Sequence, residues 1–226
     1  LLLITSVLVG AQDPTAPAIV PAHRQANKVA IITVEGEIDM ITLRSLERRV
    51  EEAKTLGCDA VVFEIDTNGG SVNASLDICH LIENDAPRNS VAWVRPKAYS
   101  AGTIIALTCR EIVIAPGSRM GDAAPIRGSP FTGVVPMPTA ERAKQESPIL
   151  ERVIDSARRH GYDEKLVQSF VSVGVELWLI EHAETGERVF VDRAEYEVVF
   201  GEAPPTQIPS ITPTGGAAKT VRPWQD

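Results

Sequence analysis

The stretch SVAWVRPKAYSAGTIIALTCREIVIAPGSRMG, residues 90–121, decides the fold. It opens on a β-rich run over 91–94, which Pro96 is expected to halt. Ser100, Ala101 and Gly102 follow, and an apolar run begins at once. Small residues at a strand-to-helix turn let two backbones approach closely. Ser100 then opens a helix, where backbone N–H groups lack intrahelical acceptors. A nucleophile in that place has donors beside it for a developing oxyanion. Taken alone, Ser-Ala-Gly reads as an ordinary helix cap. Two other segments change the reading: Asp66-Thr67-Asn68-Gly69-Gly70-Ser71 upstream and Lys144 downstream.

Working outward, KVAIITVEGEI (28–38) and AVVFEID (60–66) are β runs, apolar on nearly both faces. Between them, helical spacing puts Leu43, Leu46, Val50 and Ala53 on one face of 42–57, with Gly57 at its end. A helix over 72–84, a strand over 90–95, a helix over 100–109 and a strand over 111–115 continue the alternation. The pattern predicts an α/β fold, a mostly parallel sheet with helices on its faces. In such sheets ligands gather beyond the carboxyl ends of the strands. The Gly69-Gly70 loop and the Ser100 turn both leave such an end, so one shared rim is predicted.

Further along, 127–138 is a Gly/Pro-rich loop, and 139–160 reads as a long helix that Pro148 kinks or restarts. Gly161 ends it, and Asp163 caps a short helix to about 171. Residues 175–182 and 187–200 are predicted strands joined at Glu184-Thr185-Gly186-Glu187, a β-hairpin extension over 176–202. Residues 203–226 are rich in Pro, Thr and Gly and read as a linker or tail.

Of 226 residues, 44% are apolar and 23% charged, a globular composition. The formal charge of −8, with no basic stripe, argues against nucleic-acid binding. Cys58, Cys79 and Cys109 form no C-x-x-C pair, and neither a metal nor a cofactor is expected. Cys79 and Cys109 lie in apolar helical patterns and are expected to be buried thiols. The opening LLLITSVLVGA resembles the end of a secretory signal, an apolar run closed by small residues. Residues 1–27 are therefore expected to be a signal remnant and linker, and the rest to face an extracytoplasmic space.

The motifs VEGEID (34–39), EIDTNGGSV (64–72), AYSAGTIIAL (98–107) and EIVIAPGSRMGDAAPI (111–126) resemble the NfeD-type membrane-associated serine proteases. These are relatives of bacterial signal peptide peptidases within the ClpP/crotonase superfamily. The resemblance covers about residues 28–175 and is looser around Lys144; Asn68 stands where many relatives carry Pro. It implies a ClpP/crotonase-like fold of repeated β-β-α units, with Ser100 as nucleophile and Lys144 as base. The N–H groups of Gly70 and Ala101 become oxyanion donors, and Gly69 and Ser71 line the peptide. A branched side chain at Gly70 is then expected to harm turnover more than folding. The implied substrates are apolar segments of membrane proteins, stomatin-like ones among them, and the implied assembly is a membrane-associated homo-oligomer.

Elementary chemistry agrees with this assignment on one condition. A lysine acts as a base only when neutral, so its ordinary pKa of about 10.4 must fall towards 7, which desolvation can supply. The loop over 134–138 and the segment Pro148-Ile149-Leu150 are expected to shield Lys144. Lys97, three residues before Ser100, is the competing base and is expected to reach solvent. A Ser-His-Asp triad is disfavoured, because the strand after the serine helix leads into Met120-Gly121-Asp122-Ala123-Ala124, which lacks a histidine. Two other classes remain: an inactive scaffold of the same fold, and a crotonase-type acyl-CoA enzyme. Export disfavours the latter, since acyl-CoA is cytoplasmic.

Overall fold

The computed structural model describes residues 21, 24–129, 133–135, 137–205 and 222–224. The expected signal remnant therefore lies outside the described residues over 1–20. Strand β1 (Val29–Ile38) begins the sheet. Its entry is pinned by Asp59, whose carboxylate accepts the N–H groups of Asn27 and Lys28. Helix α1 (Met40–Thr55) starts on Asp39, which accepts from the N–H groups of Ile41 and Thr42. It buries Leu43, Leu46, Val50 and Ala53, the four residues expected from their spacing. Strand β2 (Ala60–Gly70), helix α2 (Val72–Asn84), strand β3 (Asn89–Tyr99) and helix α3 (Ala101–Thr108) follow. Strands β4 (Glu111–Ile114) and β5 (Arg119–Gly121) both pair with β3, β4 along its first half and β5 along its end. All pairs in this sheet are parallel, in the order β1-β2-β3-β4.

The expected break at Pro96 does not occur. The Arg95–Pro96 bond is cis, and β3 runs on to Tyr99. The continuation is what brings β5 beside the residues just before Ser100.

The core gathers on one face of the sheet. Ile32, Val34, Phe63, Ile65, Ala92 and Val94 point into it and meet the buried faces of α1, α2 and α3. The other face is open at Ile31 and Val113, 66% and 48% exposed, so among the described residues the helices do not cover both faces. Helix α3 is buried along its whole length. Cys79 and Cys109 are free buried thiols, and burial pushes the Cys79 thiol up to about 12.

Beyond β5, the stretch read as a loop forms a short antiparallel hairpin, β6 (Arg127–Ser129) with β7 (Gly133–Val135). Helix α4 (Thr139–His160) is a single helix with Pro148 inside it, capped at Gly161 in the left-handed region. Helix α5 (Glu164–Ser169) is capped by Asp163, as expected. The C-terminal hairpin pairs β8 (Trp178–His182) with β9 (Arg188–Val191). The second predicted strand stops there, and its remainder is helix α6 (Arg193–Phe200). The reason is local: Asp192 and Glu195 form a reciprocal capping box that starts a helix. Within the expected tail, β10 (Arg222–Trp224) returns to pair in parallel with β8.

Candidate active site

Strand ends β1, β2, β3 and β5 meet at one rim. Ser100 follows β3 directly and caps α3 with φ 50 and ψ −118. A non-glycine residue at positive φ is uncommon, and holding it there costs on the order of 1–3 kcal/mol. Several bonds meet that cost. The Ser100 N–H donates to the Gly121 carbonyl at 3.1 Å, and the Ser100 carbonyl accepts from Thr103 and Ile104. Thr103, fully buried, lies within hydrogen-bonding reach of the Ala98 and Gly121 carbonyls and accepts the Gly121 N–H. The serine hydroxyl makes no capping bond. It stands half-buried at the start of a helix whose first N–H groups, those of Ala101 and Gly102, have no intrahelical acceptor.

Gly69 and Gly70, expected in a loop, are the last residues of β2, and Gly69 lies against this serine. A Cβ built on Gly69 falls 2.6 Å from Ser100 Cβ and 3.0 Å from its Oγ. Gly69 has φ 109, a region that glycine alone enters readily. Gly70 plays a different part. A Cβ there falls 2.2 Å from the Ile38 carbonyl oxygen and 2.6 Å from its nitrogen. The expectation that a branched side chain at Gly70 harms turnover more than folding meets an obstacle here, because that side chain collides with β1 backbone. Ser71 is the cap of α2 and accepts the Ala74 N–H at 3.3 Å.

Two threonines were missed in the sequence. Besides Thr103, Thr67 is 1% exposed, donates to the Gly36 carbonyl and accepts the Gly69 N–H at 2.9 Å. Its methyl fills the space a side chain at Gly102 would take, 2.4 Å from a Cβ built there. Thr67 thus ties the Gly-Gly loop to β1 and to the first turn of α3. The available signal was a hydroxyl residue two places before Gly69 at the end of an apolar strand.

Lys144 lies on α4, the helix packed against α3. With Val72, Asn73, Leu76, Glu141 and Pro148 it lines a cavity of about 520 Å3, which joins it to the start of α2 just past Ser71. The expected shielding is not met: the Lys144 side chain is exposed, as are Pro138 and Pro148. Lys97 is half-buried on β3. His80 on α2 is exposed, and His160 sits at the end of α4. Among the described residues no helix is long and apolar enough to cross a membrane.

A family profile described as "NfeD1b, N-terminal domain" matches residues 28–201. Over 108 residues the chain is 35% identical to membrane protein NfeD1b of Bacillus subtilis, covering 47% of this chain and 24% of that one. Over 112 residues it is 31% identical to membrane-bound protease PH1510 of Pyrococcus horikoshii, covering 48% and 25%. The matched part thus spans about a quarter of each relative's length. Among solved structures, a serine-to-alanine mutant of the 1510-N membrane-bound stomatin-specific protease superposes with a TM-score of 0.57 at 26% identity, covering 66% of this chain and 71% of that one. A lysine-to-alanine mutant of that protease in complex with a substrate peptide gives 0.58 at 24% identity, covering 76% and 72%, a likeness of fold.

Proposed function

The chain belongs to the NfeD1b N-terminal domain family, and on that premise we propose that it is a Ser/Lys endopeptidase. The observation that carries this reading is Ser100, held at positive φ with an uncapped hydroxyl beside Gly69. Ser100 Oγ attacks the scissile carbonyl carbon, and Lys144 Nζ takes the hydroxyl proton. The N–H groups of Gly70 and Ala101 stabilise the oxyanion. The C–N bond then breaks, Lys144 returns the proton to the leaving amine, and water hydrolyses the acyl-enzyme. Gly69 and Ser71 flank the peptide, which adds as an extended strand.

An exposed Lys144 needs water removed from it before it can act as a base. The peptide supplies this: an apolar side chain seated on Val72, Leu76 and Pro148 covers the lysine. Activation is thereby coupled to binding. Apolar segments of membrane proteins fit that cavity, and the stomatin specificity of the 1510-N protease makes stomatin-like proteins the first substrates to try. The domain acts as a homo-oligomer at the extracytoplasmic side of a membrane; the relatives named as membrane proteins support the membrane association alone.

The exposure of Lys144 also favours a second reading, an inactive scaffold. A fluorophosphonate probe separates the two. Labelling of Ser100 that Ser100→Ala abolishes, with peptide turnover lost in Lys144→Ala and kept in Lys97→Ala, is expected of the peptidase. No labelling and no turnover in a folded chain would establish the scaffold. Turnover lost in Lys97→Ala and kept in Lys144→Ala would move the base to Lys97.

A further inference from the structure

At the opposite end of the sheet, where β3 and β4 begin, a cavity of about 700 Å3 opens. Arg88 reaches it from the α2–β3 loop, Arg110 from the α3–β4 turn, Arg159 from the end of α4, and Arg24 from the chain ahead of β1. The topology gathers these four; they do not share one helix face. Glu111 holds Arg24 through both carboxylate oxygens, at 2.9 and 3.0 Å, and Asp155 holds Arg159 at 2.7 Å. The cavity's other acid, Glu83, pairs with Arg152 and lies 3.8 Å from Arg159. Arg88 and Arg110 have no ion-pair partner among the described residues.

Ser90 lines the same wall and is 6% exposed. Its Oγ accepts the Arg110 N–H at 3.1 Å, and its own proton goes to no acceptor among the described residues. Tyr162 closes one side, its hydroxyl bonded to the Cys109 and Arg110 carbonyls. Ile82, Ala86 and Ile112 add an apolar surface. Unneutralised guanidinium groups around a cavity repel one another, and a multivalent oxyanion relieves that repulsion. Guanidinium forks match phosphate oxygens two at a time.

We propose that this cavity binds a phosphate ester. Arg88 and Arg110 hold the phosphate, Ser90 donates its hydroxyl proton to it, and the carbon skeleton lies on Ile82 and Ala86. The site is remote from Ser100 and independent of any peptidase activity. A small soluble ester and a phospholipid headgroup share this chemistry, and two probes distinguish them.

Calorimetric titration of the full chain with glycerol 3-phosphate reads the soluble ester. Cosedimentation with phosphatidylcholine vesicles containing phosphatidic acid reads the headgroup. Saturable binding of at least one probe, weakened by NaCl, is expected. The Arg88→Ala/Arg110→Ala variant is expected to bind at least about tenfold more weakly, since two charge-assisted contacts are lost. Glycerol 3-phosphate binding without vesicle retention assigns the soluble ester; retention that glycerol 3-phosphate competes away assigns the headgroup. Circular dichroism checks the fold of the variant, and Arg88→Gln alone carries the test should the double variant unfold. Absence of saturable binding to both probes, or binding undiminished in the variants, overturns the proposal.

Discussion

Ser100 occupies a backbone region that few residues with a side chain tolerate, and buried hydroxyls keep it there. Thr103 locks the turn from the β5 side, Thr67 from the β2 side. Thr67 is the more informative of the two, because its hydroxyl and its methyl have separate tasks. Thr67→Val keeps the bulk against Gly102 but leaves the buried Gly69 N–H without its partner, a loss of about 1–3 kcal/mol. Thr67→Ser keeps the bond and removes only the methyl. Urea unfolding and the rate of Ser100 labelling are the measurements. The valine variant is expected to lose both stability and labelling rate, and the serine variant to recover most of the labelling. If Thr67→Val labels at the wild-type rate, the hydroxyl does not position the loop. The two glycines separate in the same way. Gly70→Val is expected to yield unfolded or insoluble protein, since its side chain meets Ile38 backbone. Gly69→Ala instead pushes on Ser100, so its labelling is expected to fall before its melting temperature collapses.

At the scale of elements, the strands and helices up to β4 were legible because their periodicity is strong and each buries a continuous face. Leu43, Leu46, Val50 and Ala53 illustrate this. What escaped were elements too short for a period to show, such as β5 with three residues. Helix α6 was misread because Val198, Val199 and Phe200 look like strand residues, although the Asp192-Glu195 spacing carried a helix-start signal. The turn at Ser100 could be found because its signal, small residues between a strand and an apolar run, is local. The surroundings of Lys144 could not, because they depend on how α4 packs. Pro148 lies four residues after Lys144 and has no N–H, so the Lys144 carbonyl loses its usual helical donor. The other end of α4 gives a pH-dependent prediction. Burial lowers the pKa of His160 below its ordinary 6.5, and Arg159 and Arg110 add to the effect; a hydrogen bond with Thr108 and the charge of Glu83 oppose it. Below 6.5 the unfolded chain protonates this imidazole before the folded one does, so the unfolded state binds more protons. Stability therefore falls as pH drops through that window. His160→Gln removes this contribution, and its melting temperature is expected to fall less than wild type from about pH 7 to about pH 5.5. Parallel curves for the two proteins would show that His160 does not titrate with unfolding.

At the scale of the molecule, two cores of unequal size are present among the described residues. The large one joins β1 to β3 with α1 to α5, and the small one holds Trp178, Ile180, Val191 and Tyr196. The small unit is tied to the large one through the Lys165–Glu195 ion pair, and the Trp178 indole N–H donates to the Pro205 carbonyl at 3.2 Å. So few buried side chains make a marginal core, stable only while docked or braced. Removing its largest member should therefore undo it locally. Trp178→Ala forfeits burial worth about 3–5 kcal/mol, comparable to everything such a unit can supply. Ser100, in contrast, is hydrogen-bonded to Thr103 and Gly121, and Gly69 lies against it, all within the large core's rim. Hydrogen exchange of Trp178→Ala is expected to lose protection across β8, β9 and α6 while β1, β2 and β3 keep theirs, with Ser100 labelled at the wild-type rate. Loss of protection in both units together would mean that they unfold as one cooperative body, and a slower labelling of Ser100 with it would mean that the C-terminal hairpin braces the Ser100 rim.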